Sequence, residues 1–330
     1  MKGELRTAVL LYGFLRTAEI TSKSLLDNVV DANNADIFYF GPDSSDKPTS
    51  IHKGILDGSG FVKINPKNDA IEVPGGIEER LNSIYGDRLK LFKLHDRKFS
   101  DFEAESSFID MHEWLFSLNP ARFVSMFYNM QGVFSLMEQS EKESGLKYDR
   151  VILTRPDLSF YSRVDLKNIR EGFVYMPSGE GFCPHTGNRN YGLSPVMPYR
   201  NKSTGKMVET GFGFNDQVMV FGRNSSQNIA SIYESALQYM REKIPLTPET
   251  ILYYHLVSHC GLKIKYSDVW PYEIVRSDES QITTLTDLMI LDIIDRYHAV
   301  VKERARNRPF KYFLKFNYIK LKALKRKFIR

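Results

Sequence analysis

Five short stretches of this 330-residue chain carry residue types that can do chemistry. Tyr12-Gly13-Phe14-Leu15-Arg16-Thr17 follows an apolar run. Gly13 lets a ligand approach the backbone, and Arg16 can clamp an anion through paired N–H groups. The spaced glycines of a dinucleotide fingerprint are absent, as is the Gly-Lys-Ser/Thr of a phosphate-binding loop. A tight turn with a surface arginine is the plain alternative. Arg155-Pro156-Asp157 is the second stretch. Pro156 stiffens the turn and pushes Arg155 out of the helical region, which fixes where both charges point. Such a pair suits a diphosphate, with Arg155 neutralising oxygens and Asp157 holding a divalent ion or a sugar hydroxyl; a local ion pair closing the turn is the alternative.

In Asn215-Asp216-Gln217, Asp216 can act as a general base or bind a hydroxyl-rich ligand, although Asn-Asp is also ordinary turn chemistry. Pro248-Glu249-Thr250 opens a helix bearing His255 and His259, four apart on one face as in metal sites. A zinc-protease pattern is excluded because residue 256 is Leu, and Leu252 and Leu256 share that face, so core histidines are the competing reading. Glu249 sits where the helix dipole favours a carboxylate. The fifth stretch is basic: residues 302–330 hold twelve Lys or Arg against Glu303, a charge of +11, while the other 301 residues carry −6. Phe310, Phe313, Leu314, Leu321, Leu324 and Phe328 form an apolar stripe among these bases. A basic amphipathic helix of this kind favours an anionic membrane surface over nucleic acid.

These residues need elements to position them. TAVLLY (7–12) reads as a buried parallel strand, residues 18–30 as a helix, and DIFYF (36–40) as a second strand stopped by Gly41-Pro42. A strand, a helix and a strand in so short a span imply an α/β fold. Strands are also expected near 61–64, 89–94, 149–154, 173–176 and 217–221. Phe123, Met126, Phe127, Met130, Val133, Phe134 and Met137 recur at spacings of three and four, one buried face of a helix opened by Asn119-Pro120 and capped by Gly145. Helices are expected at 227–243, 249–260 and 285–304. Residues 178–213, polar and holding seven glycines, are a candidate lid. The resulting layout is a body over residues 1–300 and a basic tail over 301–330.

Composition bounds the class. Aromatics reach 13%, and glycine plus proline make only 35 of 330 residues, which excludes fibrous and wholly disordered chains. Two cysteines, Cys183 and Cys260, cannot build a disulfide framework, so a reducing compartment is expected. No run approaches the roughly 20 apolar residues of a membrane span, and no cleavable leader pattern follows the N-terminus, so a cytoplasmic location is expected.

Taken together, YGFLRT (12–17), NADIFYF (34–40), FYNMQGVFSLMEQSEKESGLKYD (127–149), RVILTRPDLSF (150–160), FNDQVMVFGR (214–223) and PETILYYHL (248–256) resemble bacterial glycosyltransferases that build capsule, O-antigen or exopolysaccharide. The resemblance implies a GT-A-like, Rossmann-type, mostly parallel sheet flanked by helices, with a helical basic tail. It implies a nucleotide-sugar donor, UDP-linked, held by Tyr12, Gly13, Arg16, Arg155 and Asp157. Asp216 or Glu249 would be the catalytic base, and the acceptor a saccharide or lipid-linked saccharide at the inner membrane face. Arg155-Pro156-Asp157 stands where such enzymes carry Asp-X-Asp, with arginine in place of the first aspartate. Mn²⁺ or Mg²⁺ on Asp157, with His255 as a further ligand, is the corresponding cofactor expectation. A nucleotidyltransferase with a similar sheet and a non-catalytic polyanion- or polysaccharide-binding protein are the alternatives.

Overall fold

The computed structural model describes residues 5–44, 76–109, 119–177, 197–200, 207–210, 214–244, 247–267, 270 and 272–275. The strands expected near 61–64, the helix at 285–304 and the basic tail lie outside the described residues, as does most of the candidate lid.

Eleven strands are described: β1 (Thr7–Tyr12), β2 (Ala35–Pro42), β3 (Leu89–His95), β4 (Arg150–Thr154), β5 (Leu158–Phe160), β6 (Phe173–Pro177), β7 (Met197–Arg200), β8 (Met207–Thr210), β9 (Val218–Gly222), β10 (Lys263–Ser267) and β11 (Tyr272–Ile274). The α-helices are α1 (Ala18–Leu25), α2 (Ile77–Tyr85), α3 (Phe99–Glu105), α4 (Ala121–Ser144), α5 (Arg223–Ser226), α6 (Ile232–Arg241) and α7 (Pro248–Tyr253). Wider π-helical turns extend α1 through Leu26–Val30 and α7 through Tyr254–His259.

Seven strands form one sheet in the order β10-β6-β9-β4-β1-β2-β3. Its pairs are parallel except for those made by β9, which runs against both β4 and β6. Two antiparallel pairs lie apart from it, β5 with β11 and β7 with β8. This is the α/β architecture expected from the sequence: a mostly parallel sheet with helices on both faces.

The continuous apolar run of β1 follows from its place at the centre. Ala8, Leu10 and Tyr12 face a core shared with Phe127, Met130, Val133, Phe134 and Met137 of α4. Val9 and Leu11 face the opposite core, where Leu25 of α1 and Leu81 of α2 pack. Strand alternation thus feeds two cores from one strand. Gly132 lets α4 approach β2 closely, because a Cβ there would lie 2.6 Å from the Phe40 ring. Gly145 ends α4 in the left-handed conformation, at φ 69°.

Gly41-Pro42 does not stop β2, contrary to the sequence expectation. β1 ends opposite Phe40, while Gly41 and Pro42 still pair with Leu94 and His95 of β3. Beyond Phe40 the strand therefore has a partner on one side only, where a proline is tolerated. On the α4 side a buried ion pair joins the helix to the end of β9. Arg223 donates from Nε to Glu141 Oε1 at 2.9 Å and from Nη2 to Oε2 at 2.6 Å. Tyr148 N donates to Oε1 at 2.9 Å. Burial would raise the Glu141 pKa, but these hydrogen bonds and the Arg223 charge hold it below the usual carboxylate value.

Candidate active site

The chain leaves β1 toward β2 on one side and reaches β4 on the other, so the sheet changes winding direction between β1 and β4. In open α/β sheets the crevice outside the strand ends at such a point is where ligands sit. Three of the stretches singled out in the sequence meet there. Residues 13–17 leave the end of β1, and residues 155–157 leave the end of β4. Residues 214–217 enter β9, whose first residue, Val218, pairs with Thr154.

Asp157 is the hub, with its side chain 1% exposed. Arg155 donates to it from Nε to Oδ1 at 2.9 Å and from Nη2 to Oδ2 at 2.7 Å, a fork-on-carboxylate arrangement. Arg16 Nη1 donates to the same Oδ2 at 3.0 Å. The two guanidinium groups keep 27% and 17% exposure for Arg16 and Arg155, so a cationic edge remains at the surface above a buried carboxylate. The cluster carries two positive charges and one negative charge.

The surrounding backbone holds this geometry. Pro156 O accepts from the Thr21 hydroxyl at 2.6 Å, and Asp157 O accepts from Val275 N at 2.9 Å. Val275 O in turn accepts from the Thr17 hydroxyl at 2.8 Å. Arg16 sits at φ 47°, a left-handed conformation that costs a non-glycine residue energy and persists where neighbours impose it. One such neighbour is Arg80, which donates from Nη2 to Arg16 O at 3.2 Å while its Nε holds Glu19 at 2.5 Å. Gly13, at φ 90°, takes a hydrogen bond from the Tyr39 hydroxyl on its carbonyl at 2.7 Å and donates to Phe40 O at 3.0 Å.

The third turn is joined to the first through Tyr12, whose hydroxyl donates to Asp216 O at 2.6 Å. Burial, then the Asp216 charge and Tyr272, push the Tyr12 phenol well above its usual range against the pull of Arg155 and Arg16, so Tyr12 stays a protonated donor. Asn215 shapes the turn. Its Oδ1 accepts from Gln217 N at 2.9 Å and Val218 N at 2.8 Å, and its Nδ2 donates to the Tyr272 hydroxyl at 2.7 Å. Tyr272 completes the chain by donating to Gln217 Oε1 at 2.9 Å. The turn-chemistry reading of this stretch holds for Asn215, while Asp216 follows it in the same turn and is buried, with the residue 8% exposed.

Glu249 lies in the first turn of α7, which Thr247 caps by accepting from Thr250 N at 3.1 Å. The same helix reaches the third turn through Tyr253, whose ring packs edge-on against Phe214 at 6.2 Å. His255 is placed as a core histidine, the competing reading of its helix face. It is 1% exposed, with Nδ1 3.0 Å from the Tyr239 hydroxyl and Nε2 2.7 Å from Asn228 O. Both nitrogens thus face protein partners rather than a metal. Burial holds the ring pKa below the usual value, with His259 adding to the effect against the Asn228 hydrogen bond.

The corner does not suit a divalent ion either. Hard cations take several oxygen ligands, whereas the Asp157 oxygens already accept three guanidinium hydrogen bonds. Among the described residues no group of three or more His, Cys, Asp or Glu side chains is placed to hold a metal.

Four supporting residues had not been singled out in the sequence: Thr21, Tyr39, Arg80 and Tyr272. Thr21 left a signal, as a hydroxyl on the buried face of an apolar helix must find a partner. Tyr272 lies in a three-residue strand, too short to show periodicity. Arg80 reads only as an exposed-helix charge.

The sequence matches no protein-family model. No curated protein is significantly similar to it. Among solved structures, the chain aligns with mouse xyloside xylosyltransferase 1 in its apo form at 10% identity and a TM-score of 0.35, over 80% of this chain and 84% of that one. A likeness this loose assigns no activity. No helix among the described residues is long and apolar enough to cross a membrane.

Proposed function

We propose that this protein is a glycosyltransferase that takes a sugar from a nucleoside diphosphate donor, with the diphosphate on the Arg16–Arg155 edge. The observation that carries the reading is the convergence of these two arginines on Asp157, at the strand ends where the sheet reverses its winding. Breaking the bond between the anomeric carbon and the phosphate oxygen builds negative charge on the leaving diphosphate. Guanidinium groups fixed in advance stabilise that charge without reorganising. In an inverting displacement the acceptor hydroxyl oxygen forms the new bond to the anomeric carbon, and its proton passes to a carboxylate. Asp216, in the turn that Tyr12 ties to the end of β1, is the first candidate for that base, and Glu249 is the second.

The finer reading follows the sequence resemblance: a UDP-linked hexose as donor, a saccharide or lipid-linked saccharide as acceptor, and a place in surface polysaccharide synthesis. Residues 302–330 would then bring the enzyme to an anionic membrane face from the cytoplasmic side, with each base near the surface contributing ~1 kcal/mol.

The test is calorimetric titration of the full chain with UDP, GDP, CMP and dTDP, followed by a transfer assay on soluble glycans with the sugar nucleotide that binds. Arg155→Lys keeps the charge and removes the fork. It is expected to weaken nucleotide binding tenfold or more, since the lysine loses both the grip of Asp157 and the outward-facing guanidinium N–H, and a hydrogen bond to a charged group contributes about 1.5–3 kcal/mol. Wild-type affinity in Arg155→Lys, or binding of no nucleotide, refutes the reading.

A further inference from the structure

We infer that the donor diphosphate is bound without a divalent metal ion, and that Asp157 is a positioning residue which locks the two arginines that take the ion's place. The inference rests on the donor reading above and concerns what neutralises the phosphates.

The geometry argues it in three steps. First, both Asp157 oxygens are already engaged by cations, with three of the carboxylate's roughly four lone-pair positions taken. Its Oδ1 accepts from Arg155 Nε, and its Oδ2 accepts from both Arg155 Nη2 and Arg16 Nη1. A divalent ion chelated there would have to displace charge-assisted hydrogen bonds, and in any position on the carboxylate it would sit against two fixed positive charges. Second, the buried carboxylate aims each guanidinium. Arg155 is gripped by its Nε–Nη2 edge, so Nη1 is the corner of the fork turned away from Asp157. Arg16 is gripped by Nη1 and comes from a backbone held at positive φ. Third, both guanidinium groups stay partly exposed while the carboxylate between them is buried, so the cationic side of the cluster is the one at the crevice. A flexible ammonium could supply charge but not direction. A planar guanidinium gripped on one edge supplies both at its opposite corner, which suits a non-bridging oxygen of a diphosphate.

The experiment titrates UDP into the unmodified full chain in the presence of EDTA, of Mg²⁺ and of Mn²⁺. In parallel, the Mn²⁺ paramagnetic resonance signal is compared between Mn²⁺–UDP alone and Mn²⁺–UDP with protein. The expected result is one dissociation constant within about twofold across the three conditions, and no protein-dependent change in the Mn²⁺ signal. Tightening of tenfold or more by Mn²⁺, with broadening of its signal, overturns the inference and leaves the donor reading standing. Absence of UDP binding in every condition overturns both.

The positioning role of Asp157 is read from Asp157→Asn, titrated with UDP and with uridine, which lacks the phosphates. The UDP constant is expected to weaken about tenfold with uridine affinity unchanged. Equal weakening of both ligands overturns the positioning role, because general damage to the fold would not separate them. Arg16→Lys is expected to reproduce the selective loss while leaving the Arg155–Asp157 pair in place.

Discussion

Replacing Gly41 by alanine tests how the sheet holds the turn that carries Arg16. A Cβ at this position would lie 2.2 Å from Gly13 O, 2.4 Å from the Tyr39 hydroxyl and 2.8 Å from its Cζ. Real Cβ contacts essentially never fall under 3.0 Å, so Gly41 and Gly13 must move apart by at least 0.8 Å between them. Alanine is acceptable to the local backbone, because Gly41 lies outside the left-handed region, and the effect is therefore one of space alone. Tyr39 is fully buried and cannot swing into solvent. The displacement thus falls partly on the turn that carries Arg16 three residues on, against a 3.0 Å contact with Asp157. Overpacking of this kind costs about 1–3 kcal/mol, and each kcal/mol lowers the melting midpoint of a chain this large by roughly 2–4 °C. A misplacement near 1 Å in a positioning element costs roughly a hundredfold in rate. The assay pairs thermal unfolding with initial rates of sugar transfer. Adding Tyr39→Phe removes the 2.4 Å clash but leaves those with Gly13 O and the ring carbon and deletes the hydrogen bond to Gly13 O, so it should restore little of either stability or rate. An alanine variant with wild-type midpoint and rate would refute the argument that Gly41 sets the turn.

Two further predictions concern the body of the fold. Glu141→Gln strands the buried Arg223 cation and should cost about 3 kcal/mol, the low end for a broken buried pair, because Glu138 stays 3.5 Å from Nη2. Chemical denaturation of the single variant beside Glu141→Leu/Arg223→Met checks this, and the double variant should recover most of the loss. The pH dependence of unfolding should have two stages. His255 and His95 are buried with lowered pKa values, so as pH falls through about 6.5 the unfolded chain takes up protons that the folded chain refuses, and stability declines. Glu141 has a depressed folded pKa, so its contribution is complete above the usual 4.5 and disappears as pH falls through the folded value. A melting midpoint that stays flat from about pH 7 to pH 5.5 would contradict the neutral burial of both histidines.

The sequence displayed β1, α4 and β4 clearly because each serves a packed interior. β1 is apolar throughout since both its faces are covered, and α4 shows its helical period since one face meets the sheet. β10 and β11 escaped notice: the first is a five-residue edge strand with alternating lysines, and the second has three residues. The direction of β9 was equally hidden, because a strand's polarity depends on which neighbour it finds and not on its own residues. At the site, Arg16 and Arg155 were visible as charges after apolar runs. Their meeting on one carboxylate was not, since it depends on the pairing of β1 with β4 across more than 130 residues of chain. Of the readings open for Arg155-Pro156-Asp157, the local ion pair closing the turn is the one the hydrogen bonds display, with Arg16 added to it.

The reversed direction of β9 has a consequence for how such a crevice can change. β6 delivers the chain at the rim shared by the ends of β1 and β4, and β9 takes it up again at that same rim. The chain thus leaves the sheet at Pro177 and re-enters it at Val218 on one edge, with the β7–β8 pair between these points in sequence. The ladder around β9 is paired entirely by residues outside that stretch, so lengthening or shortening the connection need not shift a single strand pairing.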